Sequence, residues 1–279
     1  MLIGFDADGS LLPRRLASRL VVSLKGVAAE EKRFERGLAR LGLASMALLE
    51  GRNCRRGRLV VVTSEHSRRQ AMSAYQLVRE ETRVVSEGID LERWPRIERH
   101  QPSGPLRLLT VGRQYPRKDT AALIEAVRLL GSLGVEAALT VVGGGPELPR
   151  LRRLTASLGV EDRVRFSGEV DFTELKKQYR ESDVFCLASR QEGFGIVLLE
   201  AMASSLPVVA THAGAIPEVV VEGETALLAP AGAAREMAEA VARLAGEPTL
   251  ALRLGEAGRR RVAAFAWPRV AERFLSSIR

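Results

Sequence analysis

The chain has 279 residues, of which 46% are hydrophobic and 27% are charged, and its formal net charge is +8. This length and composition support one large or two ordinary folded domains, and they exclude an extensively disordered protein. No apolar run reaches the roughly 20 residues that a membrane-spanning helix needs, and the N-terminus lacks a signal-peptide pattern. We therefore expect a globular, cytoplasmic protein.

The positive charge is concentrated in residues 1–100, where 19 Lys and Arg outnumber 13 Asp and Glu. This excess of +6 suits nucleic acid, anionic lipid or a phosphorylated substrate, or it is simply an Arg-rich solvated surface. No helix-turn-helix, RNP-like or zinc-finger pattern is present, so we expect no nucleic-acid partner. Cys54 and Cys186 lack metal-ligand or CxxC spacing, which predicts two unpaired thiols.

The first hundred residues predict a small domain. Strand patterns at 19–26, 58–64 and 82–88 alternate with helical patterns at 29–51 and 65–81. Three strands make a small sheet, and we assign residues 1–94 to this domain. The following segment has three prolines and no apolar period, so we interpret residues 95–105 as an interdomain linker.

From residue 106 onward, short apolar strands alternate regularly with amphipathic helices. The strand patterns are "LRLLTVG", "EAALTVVGGG", "RVRFSG", "DVFCLAS", "LPVVATHAG" and "TALLAP", and a last helical pair fills 233–264. Near-continuous apolar strands separated by helices predict a parallel, doubly wound α/β sheet covered on both faces. Ligands of such sheets bind beyond the carboxyl ends of the strands, so the loops after the strands are the candidate site.

Two of these loops have residues suited to an anion. In "RQYPRKD", Arg113 and Lys118 bracket a proline turn that leads into a helix, where backbone amides add to their positive charge. The alternative is that both are ordinary solvated loop charges. The run "GGGPE" at 143–147 allows close approach to a ligand or forms a plain tight turn, and it matches neither GxGxxG nor a P-loop.

The third loop is "ASRQEGFGIVLLEAMA", residues 188–203. If a helix begins near Gly195, its first free amides face the loop and suit a phosphate. Glu192 precedes those amides, and Glu200 lies about one turn into the helix with its side chain inclined back towards them. Both carboxylates can therefore reach one ligand, and carboxylates suit hydroxyl partners because they accept hydrogen bonds from vicinal hydroxyls. The alternative is that Glu192 caps the helix and Glu200 is an ordinary exposed residue.

Taken together, these motifs resemble glycosyltransferase family 4, whose members are retaining enzymes of GT-B architecture. The resemblance covers roughly residues 58–279. It rests on "VGRQYPRKD", "VVGGGPELPRL", "VRFSGEV", "SDVFCLASRQEGFGIVLLEAMASSLPVVATHAGAIPEVV", "GETALLAP" and "FAWPRVAERFL" in that order. It implies two Rossmann-like doubly wound domains, the first incomplete, with a nucleotide-sugar domain at 106–265 and a C-terminal helix at 266–279 that crosses back to the first domain.

The resemblance also implies roles for individual residues. Arg113 and Lys118 would bind the diphosphate and stabilise the leaving group, Glu192 would hold the donor sugar, and Glu200 would hold the ribose. We count Arg113, Lys118 and Glu192 as catalytic. The full expected donor-binding set is Gly112, Arg113, Lys118, Gly143, Gly144, Glu192, Gly193, Phe194, Gly195, Ile196, Val197 and Glu200.

The implied reaction is a metal-independent, retaining transfer from a UDP- or GDP-sugar, with no cofactor. The first domain departs from the family in being short, in having Lys25 and Gly26 where a histidine is frequent, and in having Glu87 in place of an asparagine in "SEGID". A non-catalytic nucleotide-sugar-binding module and a GT-B epimerase are the alternatives. The basic first domain suggests an anionic or membrane-presented acceptor and a peripheral position at the inner membrane face.

Overall fold

The computed structural model describes residues 1–94, 96–99 and 104–279, and within those ranges the chain forms ten β-strands and twelve α-helices. The strands are β1 (Leu2–Phe5), β2 (Leu20–Leu24), β3 (Leu59–Val62), β4 (Thr82–Val84), β5 (Leu106–Val111), β6 (Ala137–Val142), β7 (Val164–Gly168), β8 (Val184–Leu187), β9 (Val208–Thr211) and β10 (Ala226–Ala229). The helices are α1 (Arg14–Ala17), α2 (Ala28–Glu31), α3 (Gly37–Arg56), α4 (Glu65–Tyr75), α5 (Thr120–Ser132), α6 (Leu148–Ser157), α7 (Phe172–Glu181), α8 (Ile196–Ala203), α9 (Ile216–Val219), α10 (Ala234–Gly246), α11 (Pro248–Arg261) and α12 (Trp267–Ile278). The chain divides into a first unit, Met1–Gly88 with Trp267–Arg279, and a second unit, Ile89–Ala266.

The first unit is built on a four-stranded parallel sheet in the order β1-β2-β3-β4. Its strands follow chain order, so right-handed crossovers place all the connecting helices on one face. On that face Val22 and Val60 pack in one cluster with Ala47 and Cys54 of α3 and Tyr75 of α4. The sheet therefore needs another element to cover its second face.

Helix α12 supplies that cover. Val270 and Ile278 are buried in one cluster with Val21 and Val61, which point away from the first cluster because side chains alternate along a strand. At the start of the helix, Trp267 lies so close to Gly88 that a Cβ there would be 2.7 Å from the indole ring. The two faces of the sheet are thus covered by helices from opposite ends of the chain.

Three local features of the first unit differ from the sequence prediction. The sheet has a fourth strand, β1, which we did not predict because its sequence LIGF contains a glycine and three of its four residues are exposed, so it is not a buried apolar run. The predicted helix at 29–51 is broken before Gly37, and α3 then continues to Arg56. The predicted helix at 65–81 ends at Tyr75, because Gln76 adopts a left-handed conformation with φ of 57°.

The second unit contains a six-stranded parallel sheet in the order β10-β9-β8-β5-β6-β7. The chain starts in the middle at β5, moves outward to β7, returns to β8 beside β5, and moves outward on the other side. This reversal places helices on both faces, and the buried residues accordingly form two large clusters. The predicted α/β fold class with two Rossmann-like parallel sheets, the first of them smaller, is confirmed.

The segment between the sheets packs on the second unit. Trp94 is buried and makes edge-to-face contacts with Phe172 and Tyr179, at ring-centroid distances of 5.5 and 5.2 Å. Arg99 donates hydrogen bonds to four backbone carbonyls, including those of Tyr179 and Ser204. Residues 95 and 100–103 of the predicted linker at 95–105 lie outside the described residues.

Candidate functional site

The candidate site lies where the strand order of the second unit reverses. Strands β5 and β8 are adjacent, yet the chain leaves them towards opposite sides of the sheet. Doubly wound sheets bind ligands beyond the carboxyl ends of the strands at such a reversal, so the loops that follow β5 and β8 are the candidate site. Those loops contain two of the predicted donor-site motifs.

An ion pair joins the two loops across this reversal. Lys118 Nζ, in the loop after β5, lies 2.7 Å from Glu192 Oε2 and 3.0 Å from Glu192 Oε1, in the loop after β8. The side chains are only 15% and 10% exposed, so the pair is shielded from water. Shielding strengthens the attraction and also makes either charge costly to leave alone.

A second set of contacts fastens the same two loops, and it involves residues that the sequence analysis missed. Arg190 Nε lies 2.6 Å from Asp119 Oδ2, and the Arg190 amide donates to the Arg117 carbonyl at 2.8 Å. Asp119 has a left-handed backbone conformation, with φ of 46°, directly before α5. This turn sets the direction in which the helix begins. The Lys118–Glu192 pair is therefore held in place on both sides.

The loop after β9 supports the backbone of Glu192 from another direction. The Ala215 amide donates to the Glu192 carbonyl at 2.9 Å, and Gly214 lies against the same peptide. A Cβ at Gly214 would lie 2.4 Å from the Glu192 carbonyl oxygen, and its φ is 58°. Only glycine allows this close approach. Gly214 therefore helps to fix the position of Glu192.

Helix α8 begins where the sequence predicts. Gly195 is its N-cap with φ of 92°, and no side chain caps the helix, so Glu192 does not act as a helix cap. Leu198 and Leu199 are buried in the core, as is Phe194, whose ring packs on Phe265 at 5.8 Å. The amides from Gly195 to Val197 are left at the helix start, as predicted for an anion site.

Glu200 lies one turn along α8 and is half-buried. The Tyr179 hydroxyl donates a hydrogen bond of 2.7 Å to Glu200 Oε2. Burial raises the pKa of Glu200, and the Tyr179 hydrogen bond partly opposes that rise. Tyr179 is fully buried and belongs to α7, so the carboxylate is oriented by a neighbouring helix. The sequence contains no motif that could have identified Tyr179.

The glycine turn after β6 packs on the loop after β5. A Cβ at Gly143 would lie 2.2 Å from the Gly112 carbonyl oxygen, and one at Gly145 would lie 2.6 Å from backbone atoms of Gln114. Gln114, which the sequence analysis did not select, is buried and accepts a hydrogen bond from Thr120 at 2.6 Å. These glycines bring one loop against another and thereby shape the crevice wall.

Arg113 differs from Lys118 in its surroundings. Its side chain is 65% exposed, and the nearest carboxylate in the described part of the chain is that of Glu169, at 3.9 Å. An exposed guanidinium at such a distance contributes little to stability. Arg113 is therefore available to an anionic ligand, whereas Lys118 already has a carboxylate partner.

The assembled site combines groups of complementary chemistry. It offers two cations and a helix N-terminus to an anion, and two carboxylates, Glu192 and Glu200, to hydroxyl groups. A ligand with a phosphate between two hydroxyl-bearing parts matches this order of charges. Glu192 already forms an ion pair with Lys118. A carboxylate held in this way is suited to positioning a ligand.

Comparison with known proteins shows which family model and which relatives the chain matches. Residues 93–261 match the family model described as "Glycosyl transferases group 1". The chain is 36% identical over 180 residues to the GDP-mannose-dependent alpha-(1-6)-phosphatidylinositol monomannoside mannosyltransferase of Mycobacterium tuberculosis, covering 62% of this chain and 47% of that protein. It is 32% identical over 234 residues to the D-inositol 3-phosphate glycosyltransferase of Corynebacterium glutamicum, covering 78% and 56%. The chain thus spans about half the length of the curated relatives it matches.

Solved structures of the same fold match nearly the whole chain. Sucrose-phosphate synthase from Thermosynechococcus elongatus has a TM-score of 0.78 and 24% identity, covering 99% of this chain and 72% of that one. Anabaena HepE in complex with UDP-glucose has a TM-score of 0.82 and 19% identity, covering 99% and 78%. At these identities the likeness establishes the fold.

Proposed function

Because the chain belongs to the group 1 glycosyltransferases, we propose that it transfers a sugar from a nucleoside diphosphate sugar to an acceptor. The observation that carries the proposal is the shielded Lys118–Glu192 pair at the reversal of the second sheet, with Glu200 one turn further along α8. We further propose that the donor is a UDP- or GDP-sugar and that transfer retains the anomeric configuration without a metal ion.

The proposed roles follow the charges of the site. The diphosphate binds Arg113, Lys118 and the amides at the start of α8, which are fixed donors for the charge that builds as the nucleoside diphosphate leaves. Glu192 accepts hydrogen bonds from the donor sugar, and Glu200 accepts them from the ribose diol. In this arrangement Lys118 contacts both a phosphate of the donor and Glu192, which binds the donor sugar. The sugar is therefore held next to the diphosphate that leaves.

The glycine-rich loops have supporting roles in this proposal. Gly112, Gly143 and Gly144 line the phosphate side with backbone atoms. The stretch from Gly193 to Val197, including the amide of Phe194, lines the sugar side. The Phe194 side chain packs away into the core, so only its backbone is offered to the ligand.

Names of related proteins support a nucleotide-sugar donor without fixing the base. One relative is named for GDP-mannose, and one structural neighbour contains UDP-glucose. We propose residues 106–265 as the donor domain and residues 1–94 as the acceptor side, with α12 completing the latter. The +6 excess of residues 1–100 supports an acceptor that is anionic or presented at a membrane surface.

A second candidate is a nucleotide-sugar-binding module without turnover. It is favoured by the small first sheet, whose described strands follow chain order without a reversal. The two candidates share the donor site and differ only in turnover.

A thermal-shift screen with UDP and GDP tests the shared donor site, since a ligand that binds only the folded chain raises its melting temperature, and a tighter ligand raises it more at the same concentration. We expect one nucleotide to stabilise the chain, and stabilisation by neither would contradict the donor site. Donor hydrolysis by the wild type and by Arg113→Ala, Lys118→Ala and Glu192→Ala then separates the candidates. Hydrolysis that falls in all three variants supports the enzyme, whereas binding without hydrolysis or transfer supports the module.

A further inference from the structure

Arg99, in the segment that precedes β5, joins the C-terminal ends of two helices of the second unit. Its Nε and Nη2 atoms donate to the Ser204 carbonyl, just beyond the end of α8, at 3.0 and 2.7 Å. Its Nη1 and Nη2 atoms also donate to three carbonyls at the end of α7, at 2.6 to 3.0 Å: those of Tyr179, Arg180 and Ser182. A guanidinium has five N–H donors, and these contacts use all five. The guanidinium with its four carbonyls, the Arg99 clamp, thus bridges α7 and α8.

The guanidinium complements the charge of both helix ends. The last carbonyls of a helix lack partners within it and give its C-terminal end a partial negative charge. Burial lowers the pKa of Arg99 to about 10, so the side chain keeps its positive charge at neutral pH. The nearby Asp183 carboxylate is bound by the Arg107 side chain, at 2.8 and 3.0 Å, and the charge of Arg99 is therefore directed at the helix ends.

Tyr179 connects the Arg99 clamp to Glu200. Its carbonyl accepts a hydrogen bond from Arg99, and its hydroxyl donates to Glu200 Oε2 at 2.7 Å. Its ring is fully buried, contacts Trp94 edge-to-face at 5.2 Å and stacks on Phe185 at 5.8 Å. A ring packed on both sides moves with its own backbone, because protein interiors are close-packed. A shift of α7 against α8 would therefore displace the hydroxyl from Glu200.

A second guanidinium supports the same end of α8. Arg259, on α11, donates to the carbonyls of Ala203 and Trp94. The residue that packs on the Tyr179 ring is thereby tied to α8 as well. Among the described contacts of these two guanidiniums, only those of Arg99 reach the ends of both α7 and α8. Arg99 is therefore the side chain that fixes the spacing between the two helices.

We propose that Arg99 positions the Glu200 carboxylate for the ribose diol by way of Tyr179, a role that rests on the proposed function because it takes Glu200 as the ribose ligand. Arg99 itself lies at the C-terminal end of α8 and contacts no part of the nucleotide. It holds the ends of α7 and α8 at a fixed spacing, and this spacing sets the distance between the Tyr179 hydroxyl and Glu200. The segment before β5 thus contributes to a site whose loops follow the strands at the opposite end of the sheet.

The pKa of Glu200 in the nucleotide-free chain tests the Arg99 clamp on its own. Arg99→Lys keeps the positive charge, but one ammonium group cannot bond the four carbonyls that the planar guanidinium reaches. Apart from burial, the Tyr179 hydrogen bond is the influence on the pKa of Glu200 in the described part of the chain, and it lowers that pKa. Loosening the clamp should therefore raise the pKa of Glu200. Carbon-13 NMR titration of the glutamate carboxyl groups, with Glu200→Gln for assignment, measures the rise, and an unchanged pKa in folded Arg99→Lys would overturn the proposal.

The double variant Arg99→Lys, Tyr179→Phe separates this route from any other effect of Arg99 on Glu200. The lysine variant keeps the charges found at the two ends of α8, those of Lys118, Glu192, Arg99 and Arg259. Once Tyr179 lacks its hydroxyl, Arg99→Lys should raise the pKa of Glu200 no further. A further rise of the same size would show that Arg99 acts without Tyr179 and would overturn the proposed route.

Calorimetric titration with UDP or GDP and with the matching 2′-deoxynucleotide measures the effect on ribose binding. Arg99→Lys should lose about threefold to tenfold in affinity for the ribonucleotide and much less for the 2′-deoxynucleotide, because the affected contact is to the ribose hydroxyls. An equal loss for both nucleotides would show that Arg99 only stabilises the fold and would overturn the positioning role. Equal affinity of the wild type for both nucleotides would instead contradict the ribose assignment in the proposed function, and the positioning role would fall with it.

Arg107→Lys is the matched control. Arg107 is a guanidinium at the same end of the sheet, and its described side-chain bonds are to the Asp183 carboxylate and not to a helix end. The variant should lower the free energy of unfolding without changing the pKa of Glu200 or the preference for the ribonucleotide. Urea denaturation shows how much of each variant is folded, and trimethylamine N-oxide raises that fraction where it is low. Effects on Glu200 as large as those of Arg99→Lys would overturn the assignment to Arg99.

Discussion

Both sheets have a Lys–Glu ion pair beyond the carboxyl ends of their strands, but the pairs occupy different topological positions. In the second unit, Lys118 and Glu192 follow the two adjacent strands at which the sheet reverses. In the first unit, Lys25 and Glu87 are 2.8 Å apart in a sheet whose described strands show no reversal, and Lys25 is 44% exposed. The pair in the second unit therefore lies where doubly wound sheets bind ligands, whereas the pair in the first unit does not follow a reversal of strand order.

The largest expected effect comes from breaking the pair in the second unit. Lys118→Ala leaves Glu192 shielded without its cation and removes a phosphate contact, so donor turnover should fall at least about 100-fold. The free energy of unfolding should also fall by about 3 kcal/mol. A donor-hydrolysis assay measures turnover, calorimetric titration with UDP or GDP measures the accompanying loss of nucleotide affinity, and urea denaturation measures the loss of stability.

The matched variant is Lys25→Ala in the first unit. Since Lys25 lies in the other sheet and is partly solvated, nucleotide affinity should stay within about twofold of the wild type. An equal loss of affinity in both variants would show that strand order does not distinguish the two pairs.

The next largest effect concerns the loop packing that shapes the crevice. Gly143→Ala places a Cβ 2.2 Å from the Gly112 carbonyl oxygen at φ of 115°, which should lower the free energy of unfolding by about 3 kcal/mol and weaken nucleotide binding. Chemical denaturation measures the loss. Gly134→Ala is the control, since Gly134 has φ of 73° with no atom within 4 Å of a Cβ. It should cost about 1 kcal/mol and leave nucleotide affinity unchanged; similar effects on affinity would contradict the loop argument.

A moderate effect is expected in the pH dependence of nucleotide binding. Ionised Glu200 is the form that accepts hydrogen bonds from the ribose, and burial raises its pKa. Affinity should therefore rise as the pH increases through that raised pKa and fall as the carboxylate becomes protonated. Tyr179→Phe removes the hydrogen bond that lowers the pKa of Glu200, so this transition should move to higher pH.

Calorimetry across the acid range measures this shift, and Glu200→Gln serves as the control. The glutamine variant should lose the transition while keeping the titration of the nucleotide phosphate itself. With a 2′-deoxynucleotide, the wild type should resemble the glutamine variant more closely. Coincident pH profiles for Glu200→Gln and the wild type would mean that Glu200 does not bind the ribose, and coincident profiles for Tyr179→Phe and the wild type would mean that Tyr179 does not lower the pKa of Glu200.

The smallest effect is expected on the exposed helix of the first unit. A Cβ at Gly42 meets open space, and the residue lies inside α3. Gly42→Ala should therefore raise the free energy of unfolding by about 0.5–1 kcal/mol without changing nucleotide affinity. Thermal denaturation checks the increase, and a decrease would indicate that this part of α3 is not helical in solution.

Local sequence patterns were enough to predict the second sheet and the position of α8, because continuous apolar strands and a glycine N-cap are short-range signals. That Glu192 and Glu200 contact one ligand stays a prediction. The Lys118–Glu192 ion pair could not be predicted from the sequence. It depends on β5 lying beside β8, and many residues separate these two strands in the chain. Tyr179 and Arg190 were missed for the same reason: each acts through a partner on a distant element.

The first unit was predicted less well, and its errors have local causes. Strand β1 contains a glycine and is mostly exposed, so it lacks the continuous apolar run by which the other strands were predicted. Helix α4 ends at a left-handed Gln76, where neither glycine nor proline marks the end.

A crystal structure of the chain grown with UDP or GDP, whichever raises the melting temperature more, tests the central claim most directly. We predict the diphosphate within hydrogen-bond distance of Lys118 Nζ and the amides at the start of α8, with the ribose hydroxyls on Glu200. Nucleotide bound away from the junction of β5 and β8, with the Lys118–Glu192 pair untouched, would contradict the account.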